Sequence, residues 1–307
     1  MFGDINKINL SPTTLCPCRS GWMIVSCCHD KTDNKLRKRV PSLLPPGAKT
    51  NFSHSRCYLR GTENCSEKIS GEHYISANVL EQLGDSITIS GAPWHSPGQT
   101  QTLTINNLTA KILCERHNSA LSPLDAEAGI FFKVLRSTFE DLERASSSRK
   151  LNLHLVSGTM LELWMLKAAC GIYFSIASHN GTRLSETHTI DLAKVEQAFF
   201  ASDWDARGGL YLKSIIGSAM QTAWSVVVSP LSNNDKKRNG GVRISLLGFE
   251  LDLLFDTTDT NPGPWNGITH RPSELSFENK GRKHYIILTW PPGTPERVVN
   301  FSDEKPM

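Results

Sequence analysis

The sequence predicts an α+β fold, helices followed by an antiparallel sheet, and three observations carry that prediction. Apolar residues recur at 124, 128, 131, 135, 139 and 142 with helical period, and the stretch 159–177 is almost continuously apolar. Beyond Tyr211, β-branched and aromatic residues gather in short runs between turn clusters. The first helix is expected to open at Ser122-Pro123, a capping residue followed by a proline at the first helical position, and to run to about Ala145. Asp125 and Glu127 suit the positive end of its dipole. A second helix is expected over 158–178. Glu162 and Lys167 near its middle make it a core helix, since a membrane span needs ~20 uninterrupted apolar residues. A third starts from an Asp191 cap and covers 192–200, and strands are expected at 223–228, 242–254 and 284–290, divided by Asn/Asp/Gly/Pro clusters at 232–241 and 256–267.

A chain of 307 residues with 39% hydrophobic content can bury a core and form one large or two modest domains. With 21% charged and 8% aromatic residues, 22 Gly and 16 Pro, it is neither collagen-like, low-complexity nor coiled coil. The net charge of +3 is unevenly placed: residues 1–60 hold ten Lys/Arg against three Asp, a local balance of +7. Such an arm can touch phosphates or simply be solvated. Residues 1–50 therefore read as a disordered basic leader ending in the breaker cluster Pro41-Ser-Leu-Leu-Pro-Pro-Gly47. Residues 51–129 are polar and turn-rich, expected to bury little and to need a metal, and 130–307 form an α+β accessory domain. The longest apolar run of the leader, Trp22 to Val25, is far shorter than the ~7–15 residues of a secretory signal. That points to the cytoplasm, where eight cysteines are free thiols or metal ligands rather than disulfides.

Cys16, Cys18, Cys27 and Cys28 lie in the leader, but neither pair has C-x2-C spacing, and adjacent cysteines are not expected to turn both thiolates onto one ion. Cys57, Cys65, Cys114 and His117 form a better set, because two distant thiolate-and-imidazole pairs suit tetrahedral zinc; the alternative is buried free cysteines beside a surface histidine. Two neighbours add chemistry. Glu72-His73 places an acid beside an imidazole, and Asn118 directly follows the second ligand pair. A neutral imidazole can take a proton from water, while a carboxylate and an amide oxygen are hard ligands for a hydrated divalent ion. His95 after Pro93-Trp94 reads as a loop residue, Cys170 as packing, and the aromatic positions 164, 173, 174, 199, 200 and 204 as core. Lys236, Lys237 and Arg238 read as a solvated turn.

On Cys57, Cys65, Glu72-His73, Asn107 and Cys114-x2-His117-Asn118, followed by Leu124-Asp125, the segment 56–125 resembles the HNH, or ββα-metal, endonuclease superfamily in its zinc-containing treble-clef branch. The resemblance implies a small zinc-stabilised module in which Cys57, Cys65, Cys114 and His117 hold structural Zn2+. His73 would be the general base, Glu72 and Asn118 would hold a catalytic Mg2+ or Mn2+, and Asn107 would brace the loop behind His73. It further implies hydrolysis of phosphodiester bonds in a nucleic-acid partner, DNA in the first instance. The glutamate at 72, the C-x7-C spacing and the histidine at 117 depart from the usual pattern. A zinc-binding, nucleic-acid-binding protein without catalysis is the alternative. A cysteine hydrolase using Cys65 or Cys114 with His73 has no flanking motif to support it. Oligomeric state leaves no signal in the sequence.

Overall fold

The computed structural model describes residues 11, 13–32, 35–90, 95–96, 98–144, 151–175, 178–179, 182–183, 190–201, 208–213, 225–232, 239–255 and 268–302. A 3-10 turn at Ile24–Ser26 precedes a small hairpin of β1 (His29–Asp30) and β2 (Lys35–Leu36), and a second such turn lies at Arg60–Thr62. Then come β3 (Ile69–His73), α1 (Ala77–Leu80), β4 (Ser86–Ser90), β5 (Thr100–Thr104), a 3-10 turn at Ile105–Asn107, β6 (Thr109–Cys114) and α2 (Glu115–Glu143). The rest consists of β7 (Leu151–Ser157), α3 (Gly158–Phe174), β8 (Ser178–His179), β9 (Thr182–Arg183), α4 (Leu192–Ala201), β10 (Gly209–Lys213), β11 (Ser225–Ser232), β12 (Asn239–Leu246), β13 (Phe249–Leu254), β14 (Ile268–His270), β15 (Glu274–Asn279), β16 (Arg282–Thr289) and β17 (Val298–Ser302).

Helices and sheets are both present, as an α+β reading requires, but the sheets are mixed rather than antiparallel. Seven strands pair in the order β14-β10-β13-β12-β11-β4-β5 and four in the order β17-β15-β16-β7. The pairs β4 with β11, β7 with β16 and β15 with β17 are parallel. Strand β7, Leu-Asn-Leu-His-Leu-Val-Ser, alternates as a strand should but is squeezed between two helices, and local pattern alone did not announce it.

Helix α3 is buried on all sides, with Trp164 and Tyr173 among its largest enclosed side chains, which is why its sequence lacks a polar face. Its two buried charges have partners. Glu162 accepts both prongs of Arg271 at 2.9 and 3.0 Å and the backbone N–H of Leu210 at 2.7 Å. The partners of Lys167 belong to the site described below. Trp164, Tyr173 and Phe199 are core as expected, while Trp204 and the basic turn 236–238 lie outside the described residues.

Two expectations about the first half of the chain need correcting. Helix α2 starts at Glu115, seven residues before the expected cap, so Pro123 lies inside it. Pro123 cannot donate to the carbonyl four residues back, and the Ser122 hydroxyl supplies that bond instead, to Ser119 O at 2.8 Å. Ser122-Pro123 is thus a repaired break rather than a start, and Asp125 is no dipole partner at the helix end. Second, residues 51–129 bury a great deal: Cys57, Leu59, Leu80, Ile87 and Leu113 join one hydrophobic cluster that extends to Val299 and takes in Leu43 from the expected linker.

The leader, too, is attached. Lys35 pairs with Glu296, Lys38 with buried Glu127, and Arg37 donates to Trp290 O at 2.5 Å. Arg19 donates to His154 Nδ1 at 3.3 Å on β7, which requires a neutral ring. Burial first, then Arg19 and His284, lower the His154 pKa from 6.5 to about 4. A depressed histidine contributes stability that is present above its unfolded pKa and lost as pH falls toward the folded one. The urea midpoint should therefore drop between pH 6.5 and 4, and His154→Gln, which can still accept from Arg19, should flatten the curve in that window. An unchanged pH profile in that variant would remove His154 from the account.

Candidate metal centre

The long C-x7-C spacing is taken up by the 3-10 turn Arg60–Thr62 and by Glu63, whose φ of 53° is left-handed and folds the chain back. Cys65 N then donates to Phe52 O at 2.9 Å, fixing the far end of the loop. The other two ligands come from the junction of β6 and α2: Cys114 caps the helix and His117 lies in its first turn, all four residues being fully buried. Their ligand atoms lie within 4.8 Å of one another. His117 Nδ1 is 3.2 Å from Cys114 Sγ, 3.6 Å from Cys57 Sγ and 3.8 Å from Cys65 Sγ. Tetrahedral zinc with Zn–S ~2.3 Å and Zn–N ~2.05 Å sets S···N near ~3.6 Å, so the donor set fits a metal ion.

The surroundings fit as well. Thr62 Oγ1 donates to Leu59 O at 2.8 Å and lies 3.1 Å from His117 Nε2. With its proton committed to that carbonyl, the hydroxyl can only accept from the imidazole, so the proton is fixed on Nε2 and the Nδ1 lone pair faces the sulfurs. Ser66 N donates to Cys114 Sγ at 3.4 Å. The hydrogen bond from Cys57, aided by the backbone N–H groups of His117 and Ser66, lowers the Cys114 thiol against the opposing effect of burial, while the same Cys57–Cys114 bond raises Cys57. A thiol lowered in this way is the one readiest to ligate a cation. From the second half of the chain, α4 closes over the centre: the Phe200 ring lies 6.2 Å from that of His117, and the Glu196 carboxylate lies against Gly61, where a Cβ would come within 2.6 Å of it.

The expected catalytic residues lie one layer away. Strands β3 and β6 pair antiparallel, with Glu72 opposite Ala110 and His73 opposite Thr109, and the irregularity between Ser70 and Glu72 shifts the register there. Because β6 runs straight into α2, Glu72 and Asn118 approach a common point. That point is filled. Lys167 Nζ, reaching from α3 and only 3% exposed, lies 2.7 Å from Glu72 Oε1, 2.5 Å from Asp125 Oδ2 and 3.5 Å from Asn118 Oδ1. Asn118 Nδ2 donates to Ser70 Oγ at 2.8 Å, and the Ser76 hydroxyl joins Asp125 to the Trp164 indole. Burial raises the Glu72 carboxyl, a shift that Lys167 partly offsets. Burial alone would lower Lys167, but Asp125 and Glu72 more than compensate, and its pKa rises. The cation that Glu72 and Asn118 hold is an ammonium, so this pair is not an open divalent-ion site.

His73 is half-buried, its Nε2 lacks a hydrogen-bond partner among the described residues, and burial lowers its pKa, which favours the neutral ring. It also feels the charges of Asp125 and Lys167, which places it beside this network. Asn107 is exposed in the turn before β6. The loop behind His73 is held by backbone, Tyr74 N donating to Leu108 O at 2.9 Å. His95 pairs with Gln101 at 3.3 Å and belongs to neither cysteine cluster. Sequence reasoning missed Thr62, and it noticed Lys167 in the apolar helix without placing it in this site. Nothing local marks Thr62, but a lysine inside an apolar helix always calls for a carboxylate partner.

Among the described residues no helix is long and apolar enough to cross a membrane. Compared with known protein families, with curated proteins and with solved structures, the chain matches none.

Proposed function

We propose that residues 56–125 form an HNH-like module that hydrolyses phosphodiester bonds in nucleic acid, DNA in the first instance, with structural zinc on Cys57, Cys65, Cys114 and His117. One observation carries this reading: the strand bearing Glu72-His73 pairs with the strand that leads through Cys114 into the helix bearing His117 and Asn118, with the buried cysteines gathered at that junction. Zinc would clamp strand to helix and so hold His73 and Asn118 in fixed relation. In such modules a divalent cation polarises the scissile phosphate, and on this chain such an ion would have to displace the Lys167 ammonium from between Glu72 and Asn118. Here His73, with its neutral ring, would accept the proton of the attacking water. Purified protein should nick plasmid in Mg2+ or Mn2+, and His73→Ala should lower the nicking rate by ~10²–10⁴-fold while leaving the thermal melt unchanged. Equal cutting by that variant would end the proposal.

The position of Lys167 favours a second reading: a zinc-stabilised nucleic-acid-binding protein in which the ammonium has replaced the catalytic cation and no bond is cut. Salt-sensitive binding of DNA without nicking in any divalent ion would select it.

A further inference from the structure

We propose that Cys16, Cys18, Cys27 and Cys28 bind a second, structural zinc ion that fastens residues 13–32 to the edge of the four-stranded sheet. The site is independent of the HNH-like reading and shares no residue with it.

The four sulfurs lie within 4.8 Å of one another. Cys18 Sγ is 3.4 Å from Cys27 Sγ, which is 3.5 Å from Cys28 Sγ, close to the ~3.8 Å between thiolates around tetrahedral zinc. Adjacency of Cys27 and Cys28 was the objection from sequence. The structure answers it with the 3-10 turn Ile24–Ser26, whose C-cap is Cys27 at φ −117° and ψ −83°, a backbone bend that brings both side chains to one side. Gly21, at φ 81°, and Arg19, at φ 63°, turn the chain between the two cysteine pairs, and Cys16 N donates to Trp22 O at 2.8 Å.

This loop has almost no core of its own. Trp22 is 67% exposed and Leu15 68%, while its inner cluster consists of Cys16, Cys18, Ile24, Cys28 and Leu155 of β7. Ordering twenty residues costs more than burial of Ile24 and Leu155, with Leu36 and Ile287 packed partly against them, returns, a deficit that a metal cross-link would offset. All four cysteines are unbridged, and four soft sulfur donors select zinc over harder divalent ions. Four thiolates on one Zn2+ leave a charge of −2, and Arg19 stands next to the second ligand. The mechanical result is visible on β7, an outer strand of its sheet: Leu155 N donates to Pro17 O at 3.2 Å, so the loop covers an edge that otherwise offers unpaired backbone.

The test is metal counting on the full chain, purified without chelator. Wild type should contain one more zinc per chain than Cys18→Ser/Cys27→Ser, whatever the Cys57 centre holds, and a Cys57→Ser/Cys114→Ser variant should keep this zinc. Should the variants fail to fold, the thiols of the peptide containing residues 16–28 in wild type should alkylate at least tenfold faster after chelation than before. Equal zinc in wild type and variant, alkylation unaffected by chelator, or an intact mass lowered by the hydrogens lost to disulfides would each overturn the proposal.

Discussion

Keeping metal from the Cys57, Cys65, Cys114 and His117 centre should abolish cooperative folding of the segment around it. Structural zinc contributes ~10–16 kcal/mol in small domains, against a total stability of ~5–15 kcal/mol for a typical protein. Around this centre the remaining stabilisation would also have to accommodate three cysteines and a histidine in a fully buried site without their ion. Addition of a strong chelator should therefore remove the main thermal transition seen by circular dichroism, and restoring zinc should return it. Because a chelator would act on both cysteine clusters, Thr62→Val isolates this one: without the hydroxyl that fixes the His117 tautomer, zinc affinity should fall ~10–100-fold in a chromogenic competition assay while Cys16, Cys18, Cys27 and Cys28 stay untouched. A metal-free protein melting at the wild-type temperature would show that packing alone holds the fold.

Lys167→Met is the second large effect. The methionine fills the space of the lysine stem but leaves the carboxylates of Glu72 and Asp125 facing each other without a cation, the situation in which removing one partner of a buried ion pair costs ~3–5 kcal/mol. The sign of its pH dependence follows. Burial already raises the Glu72 carboxyl, and losing Lys167 raises it further. An acid with a raised folded pKa contributes stability that is complete below its unfolded pKa and is lost as pH rises through the folded one. Urea unfolding should therefore show a larger deficit at pH 8 than at pH 5. Equal deficits at the two pH values would mean that the lysine acts through packing alone.

Helix α3 and the cysteine-histidine set were legible because each is a strong local pattern: unbroken apolarity in one case, soft ligands at paired spacings in the other. The start of α2 was hidden because Ser122-Pro123 imitates a cap, and only the Ser119 carbonyl, repaired by the serine hydroxyl, reveals that the helix continues through it. The seven-stranded sheet was illegible for a topological reason, since the parallel partner of β4 lies far along the chain in β11. Lys167 was noticed as a charge in an apolar helix, but its partners are side chains from β3 and α2, and no spacing rule links them. The N-terminal cysteines were undervalued because their spacing matched no familiar knuckle, whereas what gathers them is a single backbone bend at Cys27.

The β4–β5 hairpin interrupts the segment between β3 and β6 and adds itself to the far sheet through β11, with Ile87, Ile89 and Val226 sealed at the seam. The segment 56–125 is for that reason no portable cassette. Excised and grafted onto another scaffold, it would carry an adhesive strand edge on one side and leave its mate on the other, so recombination could move this segment between proteins only by transferring the host sheet along with it.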